Sequence, residues 1–300
     1  MAATVQTQQI SHFGFRITRK QNLKARPGVK IASIDSSIGA EQITCAKRNQ
    51  CMNTRSTPTT FFDTPSAAKA RIAEYDWGQL YTELDGFGCA VFGKLLSAQE
   101  CRQLVGLYGL EDHFRSHIHM ARHGFGKGEY RYFKYPLPDL LGNLRTELYP
   151  RFASIANEWN ERMRIERRYP DEHGAFLKQC HDAGQARPTP LLLQYVPGDF
   201  NCLHQDLYGD LAFPIQVAIL LSEPGQDFTG GEFVLTEQRP RRQSRAEVVP
   251  LRQGDAVAFA VHNRPVKGSK GSYRVNLRHG VSRIRSGTRH TAGIIFHDAK

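Results

Sequence analysis

The stretch YRVNLRHGVSRIRSGTRHTAGIIF, residues 273–296, reads as two β-strands joined by a short polar connection. Residues alternate along its first half, so Val275, Leu277 and His279 share one face while Asn276 and Arg278 take the other. After Ser286-Gly287 the alternation resumes and places Arg289, Thr291, Gly293 and Ile295 on one side. That side is small and apolar except for its arginine. A histidine on one inward face and an arginine on the next are costly to bury alone, so both call for partners.

Working outward, the chain after Pro190 is a series of short β-type runs broken by Gly, Pro and Asp: 191–196, 214–221, 231–236, 246–249, 255–261, 273–279 and 290–296. Many short strands between turns predict a sandwich or barrel, jelly rolls included. The front half is helical in pattern. A short helix is expected over 66–74. Ser97-Ala-Gln-Glu100 has the form of a capping box opening a helix to about Tyr108. Residues 140–164 carry Leu141, Leu144, Leu148, Phe152, Ile155, Trp159 and Met163 at three- and four-residue steps, a core-packing stripe. The expected class is therefore α+β, with helical support over 61–190 and the β-rich core over 191–300.

Residues 1–60 differ from both. They are rich in Gln, Ser and Thr and carry nine Lys/Arg against only Asp35 and Glu41, as expected of a flexible basic extension. Their shortage of acids is shared with organelle transit peptides, but the Arg stripe is poor and no apolar signal segment is present, which leaves the cytoplasm as the default location. No apolar run is long enough to span a membrane. The six cysteines include no C-x-x-C pair, which speaks against a zinc ribbon or a thioredoxin-type site. The net charge of +11 favours polyanions or small anionic ligands.

A second stretch, QYVPGDFNCLHQDLYGD (194–210), holds His204 and Asp206 two residues apart, facing one way if the strand is extended, with Cys202 on the same face. Adding His279 gives two imidazoles and a carboxylate, the facial triad of non-haem Fe(II) oxygenases. The plainer reading is an exposed loop pair and a core histidine bonded to backbone. Arg289, ten residues after His279, tips the balance. An inward guanidinium needs an anion, and its fork suits a carboxylate such as the distal one of 2-oxoglutarate.

These parts in order, QYVPGDFNCLHQD, TGGEFVL, VVPLRQGDAVAF and HGVSRIRSGTRHTAGIIF, resemble the catalytic core of the Fe(II)/2-oxoglutarate-dependent dioxygenases. The resemblance implies a double-stranded β-helix, or jelly roll. It gives His204, Asp206 and His279 to iron and Arg289 to 2-oxoglutarate, with Tyr195 as a hydroxyl donor to that co-substrate. It implies Fe(II), 2-oxoglutarate and O2, with ascorbate as a supporting reductant. The His-to-Arg spacing and Gly-Gly-Glu strand are similar to prolyl 4-hydroxylases. The chain from about Asp76 is most similar to a bacterial family described as oxidatively demethylating damaged DNA. It departs from the alkylated-base repair branch at Leu193 and Ile295, where that branch has Asn and a second Arg.

Substrate signals are weaker. Residues 237–289 carry thirteen Lys/Arg against Glu237, Glu247 and Asp255. Arg239, Arg241 and Arg242 stand in one expected basic loop, and 262–274 reads as a second, suited to tracking phosphates. In GEYRYFKY, Tyr130, Tyr132, Phe133 and Tyr135 interleave with Arg131 and Lys134, a mixture used to stack bases beside a backbone. These aromatics equally suit packing against the barrel. His113, His117, His119 and His123 would form a rival metal edge on a helix, which Gly124 weakens. The leading expectation is oxidative demethylation of alkylated nucleic-acid bases. Prolyl hydroxylation is the alternative, and a non-catalytic metal-binding jelly roll is the second.

Overall fold

A computed structural model describes residues 64–207 and 209–300; the basic extension expected over 1–60 lies outside them. The chain opens with α1 (Pro65–Ala73) and α2 (Trp77–Phe87), then β1 (Cys89–Phe92) and α3 (Ala98–Leu107). The capping box at Ser97 forms as expected, and Arg71 of α1 reaches Glu100 at 2.9 Å, tying the two helices together. There follow β2 (Phe114–His119), β3 (Gly126–Lys127), β4 (Glu129–Phe133), the long α4 (Asp139–Arg162) and α5 (His173–Asp182). The expected apolar stripe of α4 is buried throughout and packs in the main core with the central strands.

The remaining strands are β5 (Leu191–Tyr195), β6 (Phe200–His204), β7 (Ile215–Leu220), β8 (Phe228–Gly230), β9 (Phe233–Gln238) and β10 (Arg245–Val249). They continue with β11 (Ala256–Ala260), β12 (Asn263–Gly268), β13 (Gly271–Val281), β14 (Ile284–Gly287) and β15 (Arg289–Ile294). One sheet runs β1-β11-β7-β15-β5-β4-β2 and the other β10-β9-β13-β6-β3, with β12 also on β13 and β14 paired to β8. From β5 onward the chain passes back and forth between the sheets: β5, β7, β11 and β15 in the first, β6, β9 and β13 in the second. That alternation is the double-stranded β-helix. Strands β7 and β11 sit centrally and are covered on both faces, which explains their nearly unbroken apolar sequences.

Two expectations need correction. The front half is not purely helical, since β1, β2 and β4 extend the first sheet and β4 pairs directly with β5 across the expected boundary at residue 190. The basic segment over 262–274 is not a loop but the β12–β13 hairpin. Its Pro265 is tolerated because β12 lies at an edge, where a missing N–H breaks no ladder. Among the described residues, no helix is long and apolar enough to cross a membrane.

Candidate metal and co-substrate centre

His204 ends β6, and His279 lies opposite it on β13 with the two Cα atoms in register. Their rings stand 4.2 Å apart between centroids. Asp206 follows in the loop after β6, with Oδ1 3.3 Å from His204 Nε2 and Oδ2 3.4 Å from His279 Nε2. Ligand atoms of the three lie within 4.8 Å of one another, close enough to hold one metal ion.

The local backbone arranges this differently from a plain extended strand. Between the His204/His279 and Asn201/Val281 pairs, β6 uses three steps where β13 uses two, which is a β-bulge. The bulge turns Asn201 and His204 into the cavity together and leaves Cys202 exposed, so Cys202 does not share the pocket. Gly280 faces this bulge; a Cβ there would lie 2.7 Å from the Asn201 carbonyl oxygen. Asp206 reaches the site from the loop rather than from a strand face, its neighbour Gln205 being anchored on Leu277 O at 2.6 Å.

A hydrogen bond fixes the first imidazole and ring packing the second. His204 Nδ1 meets the Cys202 carbonyl at 2.8 Å, and a carbonyl only accepts, so Nδ1 carries the proton and Nε2 presents its lone pair inward. The His279 ring packs against Phe259 at 4.5 Å, with Phe233 beyond at 6.1 Å. Burial works against a charged His204, but the Asp206 carboxylate outweighs it and raises its pKa. For His279 burial prevails over Asp206 and lowers it. Burial would raise the pKa of Asp206, yet the two histidines bring it well below the ordinary carboxylate range. The arrangement is an ionised carboxylate between two imidazole nitrogens, a donor set suited to a cation.

Arg289 opens β15 opposite Tyr195 on β5 and is 2% exposed. Its Nη1 donates to Thr291 Oγ1 at 2.6 Å, while Nε has no hydrogen-bond partner. The guanidinium rests against the Tyr195 and Phe228 rings, at 5.7 and 5.8 Å from their centroids. Burial drives its pKa down to about 10. Tyr195 Oη is likewise buried without a hydrogen-bond partner. Room for Arg289 comes from Gly231, at φ +68, where an added Cβ would sit 2.9 Å from Arg289 Cδ. The Gly-Gly-Glu strand signal thus has a steric cause.

All these groups line one cavity of about 210 Å³, which holds His204, Asp206, His279, Arg289, Thr291 and Tyr195. The expected inward set of β15 and the residue after it is observed in full, since Gly293 and Ile295 line the cavity as well. The aromatic segment divides by strand alternation: Tyr130 and Tyr132 face the cavity, whereas Arg131 lies on the opposite face against Tyr108 and Phe114, at 4.9 and 5.8 Å. Arg239 is bound to buried Glu237 at 2.8 Å. Arg241 and Arg242 are exposed at the tip of the β9–β10 hairpin. Sequence reasoning passed over Asn201, Phe233 and Phe259 as pocket residues. Phe233 had a signal, as it follows the Gly-Gly-Glu motif directly.

Residues 128–299 match the model of a family described as oxygenases catalysing oxidative methylation of damaged DNA. Uncharacterised proteins from two Mycobacterium tuberculosis strains are 48% identical over 167 residues, 56% of this chain and 72% of theirs. Among solved structures, a Trichoplax adhaerens prolyl hydroxylase in complex with a hypoxia-inducible-factor peptide has 14% identity and TM-score 0.47, covering 77% of this chain and 92% of its own. A Pseudomonas putida prolyl-4-hydroxylase has 15% identity and TM-score 0.44, covering 75% and 99%. Likenesses that loose carry no weight for the substrate. The family match spans more than half of the chain and takes in every strand from β5 to β15, so the chain belongs to this oxygenase family.

Proposed function

We propose that the protein removes N-alkyl groups from nucleic-acid bases by oxidation, with Fe(II) held by His204, Asp206 and His279 and 2-oxoglutarate held by Arg289. The observation that carries the co-substrate assignment is Arg289: a fully buried guanidinium with an unsatisfied Nε and no carboxylate among its hydrogen-bond partners, in the cavity that holds the triad. Tyr195 Oη, unsatisfied beside it, supplies a second donor. With iron, 2-oxoglutarate and O2 bound, such a site couples decarboxylation to succinate with hydroxylation of a substrate C–H bond, one oxygen atom going to each product. An N-methyl group hydroxylated in this way leaves as formaldehyde and restores the N–H, which is why oxidation there means demethylation.

The chain's own residues position and shield. Thr291 fixes one arm of the Arg289 fork, and Phe233 and Phe259 keep water from the His279 ring. Tyr130 and Tyr132, 5.3 Å apart and edge to face, wall the cavity with surfaces suited to a flat ring. The family description supports nucleic acid as the substrate class. The test is incubation with Fe(II), ascorbate, 2-oxoglutarate and N-methylated oligonucleotide. Succinate and formaldehyde should appear together and vanish in Asp206→Ala. Hydroxyproline from peptides, without formaldehyde from oligonucleotide, would replace this reading with prolyl hydroxylation.

A further inference from the structure

His117 and His119 lie two apart on β2 and so project from one face of the sheet, and Glu129 on β4 stands directly across from His119. His117 Nε2 is 2.6 Å and His119 Nδ1 3.4 Å from the same oxygen, Glu129 Oε2. The two rings are 4.4 Å apart, and ligand atoms of all three side chains fall within 4.8 Å. This face is opposite the cavity, because the intervening Tyr130 and Tyr132 point into the cavity. The expected helical edge of histidines does not form. The strand instead pairs His117 with His119 and recruits a carboxylate that histidine spacing alone could not reveal.

We propose that His117, His119 and Glu129 form a second site for a divalent transition metal, of which Zn2+ is the representative. Two imidazole nitrogens and one carboxylate are a zinc donor set, and nitrogen donors disfavour Ca2+ and Mg2+. At ligand distances of about 2.0–2.2 Å, donors on one metal stand roughly 3 Å apart, so 3.4 Å already suits two ligands and 2.6 Å needs only a small opening. Arg131, opposite His117, is turned onto the Tyr108 and Phe114 rings. Gln194, the neighbour of Glu129 on β5, is taken by His290 at 2.9 Å, so it does not draw the carboxylate away. The side chains are 33%, 45% and 28% exposed, open enough for a cation and its remaining water ligands to enter. A metal here clamps the outermost strand β2 to β4, the strand that brings Tyr130 and Tyr132 to the cavity.

The site is independent of the iron assignment, and the test keeps the two apart. Untagged full-length protein carrying His204→Ala and Asp206→Ala is titrated with Zn2+ and Co2+, with bound metal measured after dialysis and Co2+ absorption followed. One equivalent should remain in that background. Its affinity should fall at least about tenfold on adding His117→Ala or Glu129→Ala, by analogy with the loss from disturbing a ligand's support alone. Added Zn2+ should raise the melting temperature of the background protein and leave that of the Glu129→Ala combination unmoved. If Glu129→Ala does not fold, as judged by circular dichroism, the more exposed His119→Ala gives the same readout. Loss of all stoichiometric metal in the background variant, or retention after His117→Ala and His119→Ala, would overturn the proposal and show only a histidine–glutamate ion pair.

Discussion

Replacing Arg289 with Met should have opposite effects on the empty and the 2-oxoglutarate-loaded protein. The guanidinium is 2% exposed, donates one hydrogen bond to Thr291 and has no protein partner for Nε. Burial lowers its pKa from 12.5 to about 10, equivalent to about 3 kcal/mol of penalty on the charged form. Met fills similar space without the charge. Discounting for the lost Thr291 bond, the empty variant should gain on the order of 1–2 kcal/mol, which raises the melting temperature by roughly 2–8 °C for a domain of this size. With 2-oxoglutarate the sign reverses. A carboxylate accepting from the fork makes two charge-assisted bonds of about 1.5–3 kcal/mol each, so removing them weakens binding by roughly 10²–10⁴-fold. A lysine in its place would keep the charge without the fork, so Arg289→Lys should fall between. Differential scanning fluorimetry at zero and saturating 2-oxoglutarate, with calorimetry for affinity, reads both effects. A lower melting temperature in the empty Met variant, with affinity within about threefold of the original, would show that Arg289 is a packing residue and refute the reasoning.

Three further outcomes follow from buried groups. His173 and His297 are held at about 4, chiefly by burial and secondly by the Arg145 charge. The unfolded chain, with histidines near 6.5, therefore takes up protons first, so their stabilising contribution is whole above about pH 6.5 and is lost as pH falls towards 4. Urea unfolding should lose about 2 kcal/mol between pH 6 and 5 from the pair; an unchanged stability over that interval would contradict it. Arg145→Met strips Asp298, fully buried, of its cationic partner at 2.8 Å, leaving it Tyr135 and His181, and removes one of the donors to each of the Ile295 and His297 carbonyls, which keep Thr189. A loss of about 3–5 kcal/mol in urea unfolding is expected, and a loss below about 1 kcal/mol would argue against a stabilising pair. Gly231→Ala places a Cβ against Ile284 and Arg289 at positive φ. It should weaken 2-oxoglutarate binding more than it lowers the melting temperature, and unchanged affinity would show that Arg289 has slack.

Alternation carried most of what was legible in the sequence. The inward faces of β13 and β15 were readable because both strands keep a strict period of two, and that placed His279 and Arg289 correctly. The orientation of Cys202 was not readable, since a bulge in β6 shifts the period, and the close approach of Gly280 that accommodates it lies on a distant strand. Strand β12 was hidden by its Lys, Gly and Pro content, the polarity of an edge strand being indistinguishable from that of a loop. Strands β1 and β3, of four and two residues, are too short to show a period at all. Helix α2 was missed because Gly78 and Gly86 dilute its pattern, although Asp76 caps its start and Gly88 ends it in the left-handed conformation. The triad was legible only as a combination: each member alone is ordinary, and sequence distance says nothing of the register that sets His204 opposite His279.

The excess of positive charge looks different once its partners are seen. Glu237 lies buried in β9 and gathers three arginines: Arg239 at 2.8 Å, Arg245 at 3.7 Å and Arg264 in closer contact. Arg264 also donates to the carbonyls of Asp85 and Gly86, satisfying the end of α2. Part of the basic signal in 237–289 is therefore the internal wiring that fixes the β9–β10 and β12–β13 hairpins to the helical layer. What remains for a polyanion at the β9–β10 tip is Arg241 and Arg242, neither in an ion pair among the described residues. Gln238, where that tip begins, is three residues along β9 from Leu235, the partner of His279, or roughly 10 Å by strand rise. On the proposed nucleic-acid reading, two exposed charges beyond that point can guide a phosphate backbone, but they cannot choose the base. Under that proposal any choice of base falls to the cavity itself, where Tyr130 and Tyr132 share the walls with Phe233 and Phe259.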